Sequence, residues 1–167
     1  MPPLPSRMRE LQRSFLSQGE IVVTAEDVVI QTTLGSCVAV VLHDTVTRHS
    51  GMCHSVMPAS TTGEQSLRYT DQAVTRMLEC FSALGIPKAR LLAKVVGGAD
   101  QMQRARRTST HAVVGSHNTS VAFACLERAG VPVIARDTGG TTGRRVLLDV
   151  RTGDVYVRAL RLDHGKA

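Results

Sequence analysis

Short runs of β-branched and apolar residues recur along this chain from Gly19 onward, separated by polar or glycine-containing segments. Runs of four to six such residues are typical of β-strands. Eight strands are therefore predicted, at Ile21 to Thr24, Val28 to Gln31, Cys37 to Leu42, Met52 to Met57, Leu91 to Val96, Val131 to Ala135, Val146 to Val150 and Val155 to Ala159.

Two longer segments have helical periodicity instead. The first begins at Thr70-Asp71, a suitable N-cap followed by acid in the first turn, and ends before Gly85. Its apolar stripe comprises Val74, Met77, Leu78, Phe81 and Leu84. The second follows Asn118 and ends at Gly130. Mixed strands with two helices and no strict βαβ alternation predict an α+β fold, a single three-layer domain with the helices on the faces of a mixed sheet.

The two ends of the chain differ from this pattern. Residues 1–18 carry three prolines and then apolar residues at helical spacing, which predicts an N-terminal arm that is either a short helix or disordered. Residues 19–160 form the predicted domain, and residues 161–167 a C-terminal tail.

Composition and charge limit the classes of function. The 167 residues carry a formal charge of +6, which favours an acidic partner. Aromatic residues make up only 3% of the chain and most basic residues are scattered along it, which argues against nucleic acid as a binding partner. No export signal and no stretch long enough to span a bilayer is visible, so we expect a cytoplasmic protein without membrane insertion. The four cysteines and six histidines show no metal-binding spacing, so no metal or other cofactor is expected.

Cys37 and His54 are the candidate chemical pair. The polar stretch between their segments reads as a hairpin connection centred near Val46, and pairing outward from it brings the two residues roughly opposite each other. A slip of one residue would send them to opposite faces. An imidazole beside a thiol raises its reactivity by accepting its proton. Taken alone, however, a cysteine before an apolar run is more often an inert core residue.

Three further residue types complete the candidate site. Backbone N–H groups around Gly35 to Val38 are suited to binding an oxyanion, with Gly35 and Ser36 as the supporting loop, and Gly35 permits a sharp turn before the thiol. A third group usually orients the histidine. Thr32 and Thr33 lie on the strand that leads to Cys37, and because strand residues alternate sides only one of them can face the site. We favour Thr32, with Thr33 as the alternative.

Five motifs carry a resemblance to a known family. They are Leu34-Gly35-Ser36-Cys37-Val38-Ala39-Val40, Gly51-Met52-Cys53-His54 with Met57-Pro58, Arg68-Tyr69-Thr70-Asp71-Gln72-Ala73-Val74, Gly97-Gly98-Ala99, and Asp137-Thr138-Gly139-Gly140 with Gly143-Arg144. In this order they resemble the CheD family, the chemoreceptor glutamine deamidases of bacterial and archaeal chemotaxis.

The resemblance implies a fold related to the catalytic domain of cytotoxic necrotizing factor toxins and a Cys-His-Thr site that hydrolyses receptor glutamines to glutamate. The family's cysteine falls on Cys37, its histidine on His54, and its threonine on the stretch where Thr32 is our choice. The expected partner is the helical cytoplasmic region of a chemoreceptor, and some family members also bind a CheC-type phosphatase. Alternative functions are a receptor glutamate methylesterase that uses the same site, or a non-catalytic adaptor.

Overall fold

The computed structural model describes residues 3–100 and 114–160, which form two β-sheets and three α-helices. The helices are α1 (Ser6–Glu10), α2 (Thr70–Ala83) and α3 (Val114–Ala129), with a 3-10 turn at Lys88–Arg90. The strands are β1 (Gln12–Phe15), β2 (Ile21–Thr24), β3 (Val28–Leu34), β4 (Val38–Asp44), β5 (Ser50–Cys53), β6 (Leu91–Gly97), β7 (Val133–Thr138), β8 (Arg144–Asp149) and β9 (Val155–Ala159).

A five-stranded sheet lies at the centre, in the order β2-β5-β4-β6-β7. Its middle strand β4 is buried along its whole length, as its near-continuous apolar run requires. Both α2 and α3 pack on one face of this sheet, where Val74, Met77 and Phe81 of α2 meet Val40 and other residues of β4. The stripe at helical spacing in α2 thus forms half of the larger core.

A second sheet covers the opposite face. It has four strands in the order β1-β3-β8-β9, and a second apolar cluster fills the space between the sheets, including Ile30, Leu34, Ala39, Val146 and Leu148. The mixed α+β class and the three layers are as predicted. The prediction of one sheet with helices on its faces is wrong, because the strands divide into two sheets and only one face of the central sheet carries long helices.

The N-terminal segment belongs to the second sheet. Helix α1 places Met8 against Val29 and Leu147 on the outer face of that sheet. Strand β1 then runs parallel to β3, with Gln12 paired to Val28 and Phe15 to Gln31. The short helix was one of the two predicted alternatives, whereas the strand was not predicted.

Several boundaries differ from the sequence-based ones. Asn118 lies inside α3, which already includes Val114, so it does not mark the start of that helix. Strand β5 begins at Ser50 and ends at Cys53, short of the predicted Met57, and its pairing with β4 continues only at the bridge between Val38 and Ser55. Helix α2 begins at Thr70 as predicted, but the Thr70 hydroxyl donates to the Met57 carbonyl instead of capping the helix.

Parts of the sequence fall outside the described residues. The basic run Arg104-Ala105-Arg106-Arg107 and the predicted C-terminal tail at 161–167 are among them. Within the described ranges, no helix has the length and apolar character that crossing a bilayer demands.

Candidate active site

The hairpin formed by β4 and β5 places Cys37 and His54 on the same side of the central sheet. The register pairs Leu42 with Gly51, and a further bridge pairs Val38 with Ser55. Continuing this register sets His54 opposite Ala39, two residues from Cys37. An offset of two keeps both side chains on one face as diagonal neighbours. That face looks into the space between the two sheets, where Cys37 and Ala39 belong to the same apolar cluster.

Strand β3 of the second sheet brings Thr32 to His54 from across this space. The Thr32 Oγ1 lies 2.7 Å from His54 Nδ1, and the hydroxyl also donates to the Leu16 carbonyl at 2.7 Å. Thr32 is completely buried, whereas Thr33 is exposed on the outer face. The alternation of side chains along β3 therefore sends Thr32, and not Thr33, to the histidine.

The Thr32 hydroxyl also determines the tautomer of His54. A hydroxyl has one proton to donate, and here it goes to the Leu16 carbonyl. The same oxygen must then accept the proton on Nδ1, which leaves Nε2 of His54 as an unprotonated acceptor. Nε2 is buried and has no hydrogen-bond partner among the described residues. The histidine is thus held in the form that can accept a proton from a neighbouring thiol.

Burial keeps both members of the pair neutral at rest. It raises the pKa of the Cys37 thiol above 9.0, opposed by the backbone N–H of Cys37 and by the positive charge of Arg68. It lowers the pKa of His54 below 6.5, opposed by the Leu16 carbonyl and the charge of Glu20. Near neutral pH the two groups are therefore a thiol and a neutral imidazole on the same face of the sheet, and not a preformed ion pair.

The loop that precedes the thiol is anchored through its carbonyl groups. The Gly35 carbonyl accepts from the Ala99 amide at 2.9 Å, and the Cys37 carbonyl accepts from the Gly98 amide at 2.8 Å. No backbone carbonyl within the described ranges accepts the N–H of Ser36 or Cys37. These two amides thus lie next to the thiol in the chain without a backbone acceptor in those ranges, which is a property that an oxyanion site requires.

Glycines 97 and 98 are needed for this anchoring. Gly97 has φ +116°, and a Cβ placed on it would lie 2.3 Å from the Cys37 carbonyl oxygen. Gly98 has φ +67°, and a Cβ there would lie 2.6 Å from the Gly115 carbonyl oxygen. Only glycine allows the backbone of this loop to approach the candidate nucleophile so closely.

Asn118 is a site residue that the sequence analysis missed. It is fully buried in α3, and its Nδ2 donates to the Ser36 carbonyl at 2.9 Å and to the Val56 carbonyl at 3.0 Å. It therefore ties the loop before Cys37 to the segment after His54. The signal in the sequence is a polar residue among the apolar positions of α3, a pattern that is also typical of a helix start.

Other cysteines and potential ligands lie away from the pair. Cys53, next to His54 in sequence, packs on the opposite face in the cluster beneath the helices, as strand alternation predicted. In the part of the chain that the structure describes, no three His, Cys, Asp or Glu side chains converge as metal ligands do.

Comparison with known proteins places this chain in a family. A family model described as "CheD chemotactic sensory transduction" matches residues 54–159, more than half of the chain. The chain belongs to the CheD family. A relative in Anaeromyxobacter dehalogenans, "Probable chemoreceptor glutamine deamidase CheD 1", is 40% identical over 87% of this chain and 84% of its own length. The CheD 2 relative of Geobacter sulfurreducens, with the same functional name, is 34% identical over 94% of this chain and 96% of its own length.

Solved structures resemble this CheD-family chain in fold. A Bacillus licheniformis protein, YfiH, superposes with a TM-score of 0.51 over 72% of this chain and 51% of its own length. A Neisseria meningitidis protein also gives 0.51, over 81% of this chain and 66% of its own. Their sequences are 14% and 12% identical to this one, so the likeness concerns the fold alone.

Proposed function

We propose that this chain is a protein-glutamine deamidase that hydrolyses glutamine side chains of chemoreceptors to glutamate and releases ammonia. The observation that carries this proposal is the bond between Thr32 and His54, which leaves His54 Nε2 unprotonated on the face that Cys37 shares. A thiol and an oriented imidazole are the parts that acyl transfer from a carboxamide requires.

In the first half of the reaction, Cys37 Sγ attacks the Cδ of the substrate glutamine while His54 Nε2 takes the thiol proton. The carbonyl oxygen becomes an oxyanion that accepts hydrogen bonds from the Ser36 and Cys37 amides. Collapse of this intermediate breaks the C–N bond. The imidazolium donates its proton to the departing nitrogen, which leaves as ammonia. The acyl group stays bound to Cys37 Sγ as a thioester.

In the second half, a water molecule attacks the thioester carbon. His54 Nε2 accepts a proton from this water, and the same amides hold the second oxyanion. The C–S bond breaks, the thiolate recovers its proton from the imidazolium, and glutamate remains on the substrate. The neutral resting state of the pair suits this cycle, since His54 must be able to accept a proton in each half.

The substrate class rests on the relatives and on charge. The relatives are named chemoreceptor glutamine deamidases, and this chain carries a formal charge of +6. We propose the helical cytoplasmic region of a chemoreceptor, rich in Glu and Gln, as the partner, reached in the cytoplasm by attraction that weakens with salt. A CheC-type phosphatase as second partner and a likeness to the cytotoxic necrotizing factor catalytic domain stay predictions from the family resemblance.

The test is incubation of the protein with a receptor cytoplasmic fragment that carries both glutamines and methylated glutamates. Peptide mapping by mass spectrometry distinguishes the products, since each deamidation adds about 1 Da and loss of a methyl ester removes about 14 Da. Conversion of glutamine to glutamate by the wild-type protein supports the proposal. Loss of methyl groups alone would make the chain a methylesterase, and binding without any conversion would make it an adaptor.

A further inference from the structure

A glutamine of the chain itself lies at the candidate nucleophile. Gln18 is in the turn between β1 and β2, and its Nε2 lies 3.9 Å from Cys37 Sγ, within hydrogen-bond reach of a sulfur acceptor. Its side chain ends in a primary carboxamide, the same chemical group that a deamidase hydrolyses. Neither Thr32 nor His54, the other candidate catalytic residues, takes part in this contact.

The backbone around Gln18 is fixed by the site. The Leu16 carbonyl, two residues before it, accepts the Thr32 hydroxyl. The Gly19 amide, directly after it, donates to the His54 carbonyl at 2.8 Å, and the Glu20 carbonyl accepts from the His54 amide at 3.1 Å. The backbone on both sides of Gln18 is thus bonded to the candidate catalytic residues, which places the Gln18 Cα beside the site.

The side chain of Arg68 packs against the same turn at Gly19. Gly19 has φ +75°, and a Cβ placed on it would lie 2.9 Å from the Cγ of Arg68, so the methylene groups of Arg68 cover the turn beside Gln18. The positive charge of Arg68 also acts on the Cys37 thiol. Gln18 itself is exposed, and the hydrogen bond to Cys37 Sγ is the contact that holds its side chain at the thiol.

We propose that in the free protein the Gln18 carboxamide occupies the position that the carboxamide of a substrate takes at Cys37, and that a substrate must displace it. The proposal that Gln18 competes with the substrate rests on the proposed function, which identifies the substrate as a glutamine side chain. The amide nitrogen, not the carbonyl carbon, faces the sulfur, an orientation in which no bond to carbon forms. Gln18 accordingly persists as glutamine while it limits access to the thiol.

The proposal predicts that Gln18→Ala exposes the thiol. Cys37 should react with iodoacetamide, a small carboxamide reagent, about three- to tenfold faster in Gln18→Ala than in the wild type, the range that one ordinary hydrogen bond supports. Peptide mapping must follow Cys37 itself, because Cys80 is more exposed and also reacts. Ser17→Ala is the matched control, since Ser17 is an exposed neighbour in the same turn, and should react at the wild-type rate.

Gln18→Met separates the hydrogen bond from simple obstruction. Methionine keeps the length of the side chain but cannot donate to the sulfur. Faster alkylation in Gln18→Met as well as in Gln18→Ala assigns the effect to the hydrogen bond of the carboxamide. Equal alkylation rates in the wild type and Gln18→Ala, or conversion of Gln18 to glutamate in the wild type, would overturn the proposal.

A receptor fragment supplies the second readout. Gln18→Ala should lower KM for the fragment about three- to tenfold and leave kcat unchanged, because only the displaced competitor is removed. A fall in kcat would instead make Gln18 part of the catalytic machinery and overturn the proposal. If the wild type converts no receptor glutamine, the proposed function fails, while the alkylation rates still decide whether Gln18 covers Cys37.

Discussion

The Oγ1 of Thr32 and the Nδ1 of His54 lie 2.7 Å apart between two sheets that have no strand in common. Thr32 comes from the second sheet, whereas the hairpin that carries Cys37 and His54 belongs to the central one. The orientation of the histidine therefore depends on how the two sheets pack. The Thr32 hydroxyl donates its one proton to the Leu16 carbonyl, so the N-terminal segment takes part in the same arrangement.

Replacement of Thr32 by valine should lower kcat on a receptor fragment by about 10- to 100-fold, a part of what a positioned general base contributes. Valine fills the same space but gives no acceptor for Nδ1–H, so the tautomer with a free Nε2 is no longer favoured. Thr33→Val is the matched control, because Thr33 is exposed on the other face of β3 and should keep wild-type kcat. Equal kcat in Thr32→Val and Thr33→Val would remove Thr32 from the mechanism.

The pH dependence of kcat/KM follows from the two buried groups. Burial lowers the pKa of His54 below 6.5, so the imidazole stays unprotonated until the pH falls below that value. Activity should therefore decline on the acid side with a midpoint under pH 6.5. Burial raises the pKa of Cys37 above 9.0, so no second ionisation of the pair is expected between pH 7 and 9. A midpoint above 6.5 would show that His54 is stabilised in its charged form, contrary to this account.

Gly97→Ala should destabilise the protein and inactivate it together. Its left-handed backbone costs a residue with a Cβ about 1–2 kcal/mol, and the clash with the Cys37 carbonyl adds to this cost and displaces the thiol. Gly85→Ala is the control, because Gly85 has φ +74° but nothing within 4 Å of the added Cβ. It should lose about 1–2 kcal/mol in the free energy of unfolding and retain its activity. Full activity of folded Gly97→Ala would contradict the role of this close approach.

Asn118→Ala should cost about 1 kcal/mol for each of the two hydrogen bonds that it removes from the partly buried Ser36 and Val56 carbonyls. Activity should fall more than stability explains, because the loop of Ser36 is no longer tied to the segment after His54. Denaturant unfolding and initial rates at a temperature where the variant is folded separate the two effects. Ser120→Ala, an exposed position on the same helix, should change neither quantity.

How far the sequence predicts this structure depends on the range of each interaction. Runs such as Leu91 to Val96 and Val155 to Ala159 predict their strands correctly, because a short run of apolar and β-branched residues favours a strand whichever strand it pairs with. Strand β1 was missed because its four residues are all exposed and its existence depends on parallel pairing with β3. The division into two sheets was not predicted either, because the sequence pattern of a strand does not indicate which other strand it pairs with.

The site divides in a similar way. Cys37 and His54 could be connected from sequence because a short hairpin joins them. Strand alternation limited the third residue to Thr32 or Thr33, and the contact with His54 across the two sheets distinguishes them. The contact of Asn118 with Ser36 joins residues 82 positions apart, and that of Gln18 with Cys37 joins residues 19 apart across two sheets. Neither contact follows from spacing or periodicity, because each depends on the packing of separate layers.

The most direct test of the central claim compares two cysteine variants on a receptor cytoplasmic fragment. Cys37 faces the space between the sheets, whereas Cys53 faces the helices, so the two substitutions remove similar groups from opposite sides of the central sheet. Conversion of glutamine to glutamate, followed by mass spectrometry, should fall by more than about 1,000-fold in Cys37→Ala and persist in folded Cys53→Ala. Conversion at the wild-type rate by Cys37→Ala would contradict the assignment of the nucleophile and the mechanism built on it.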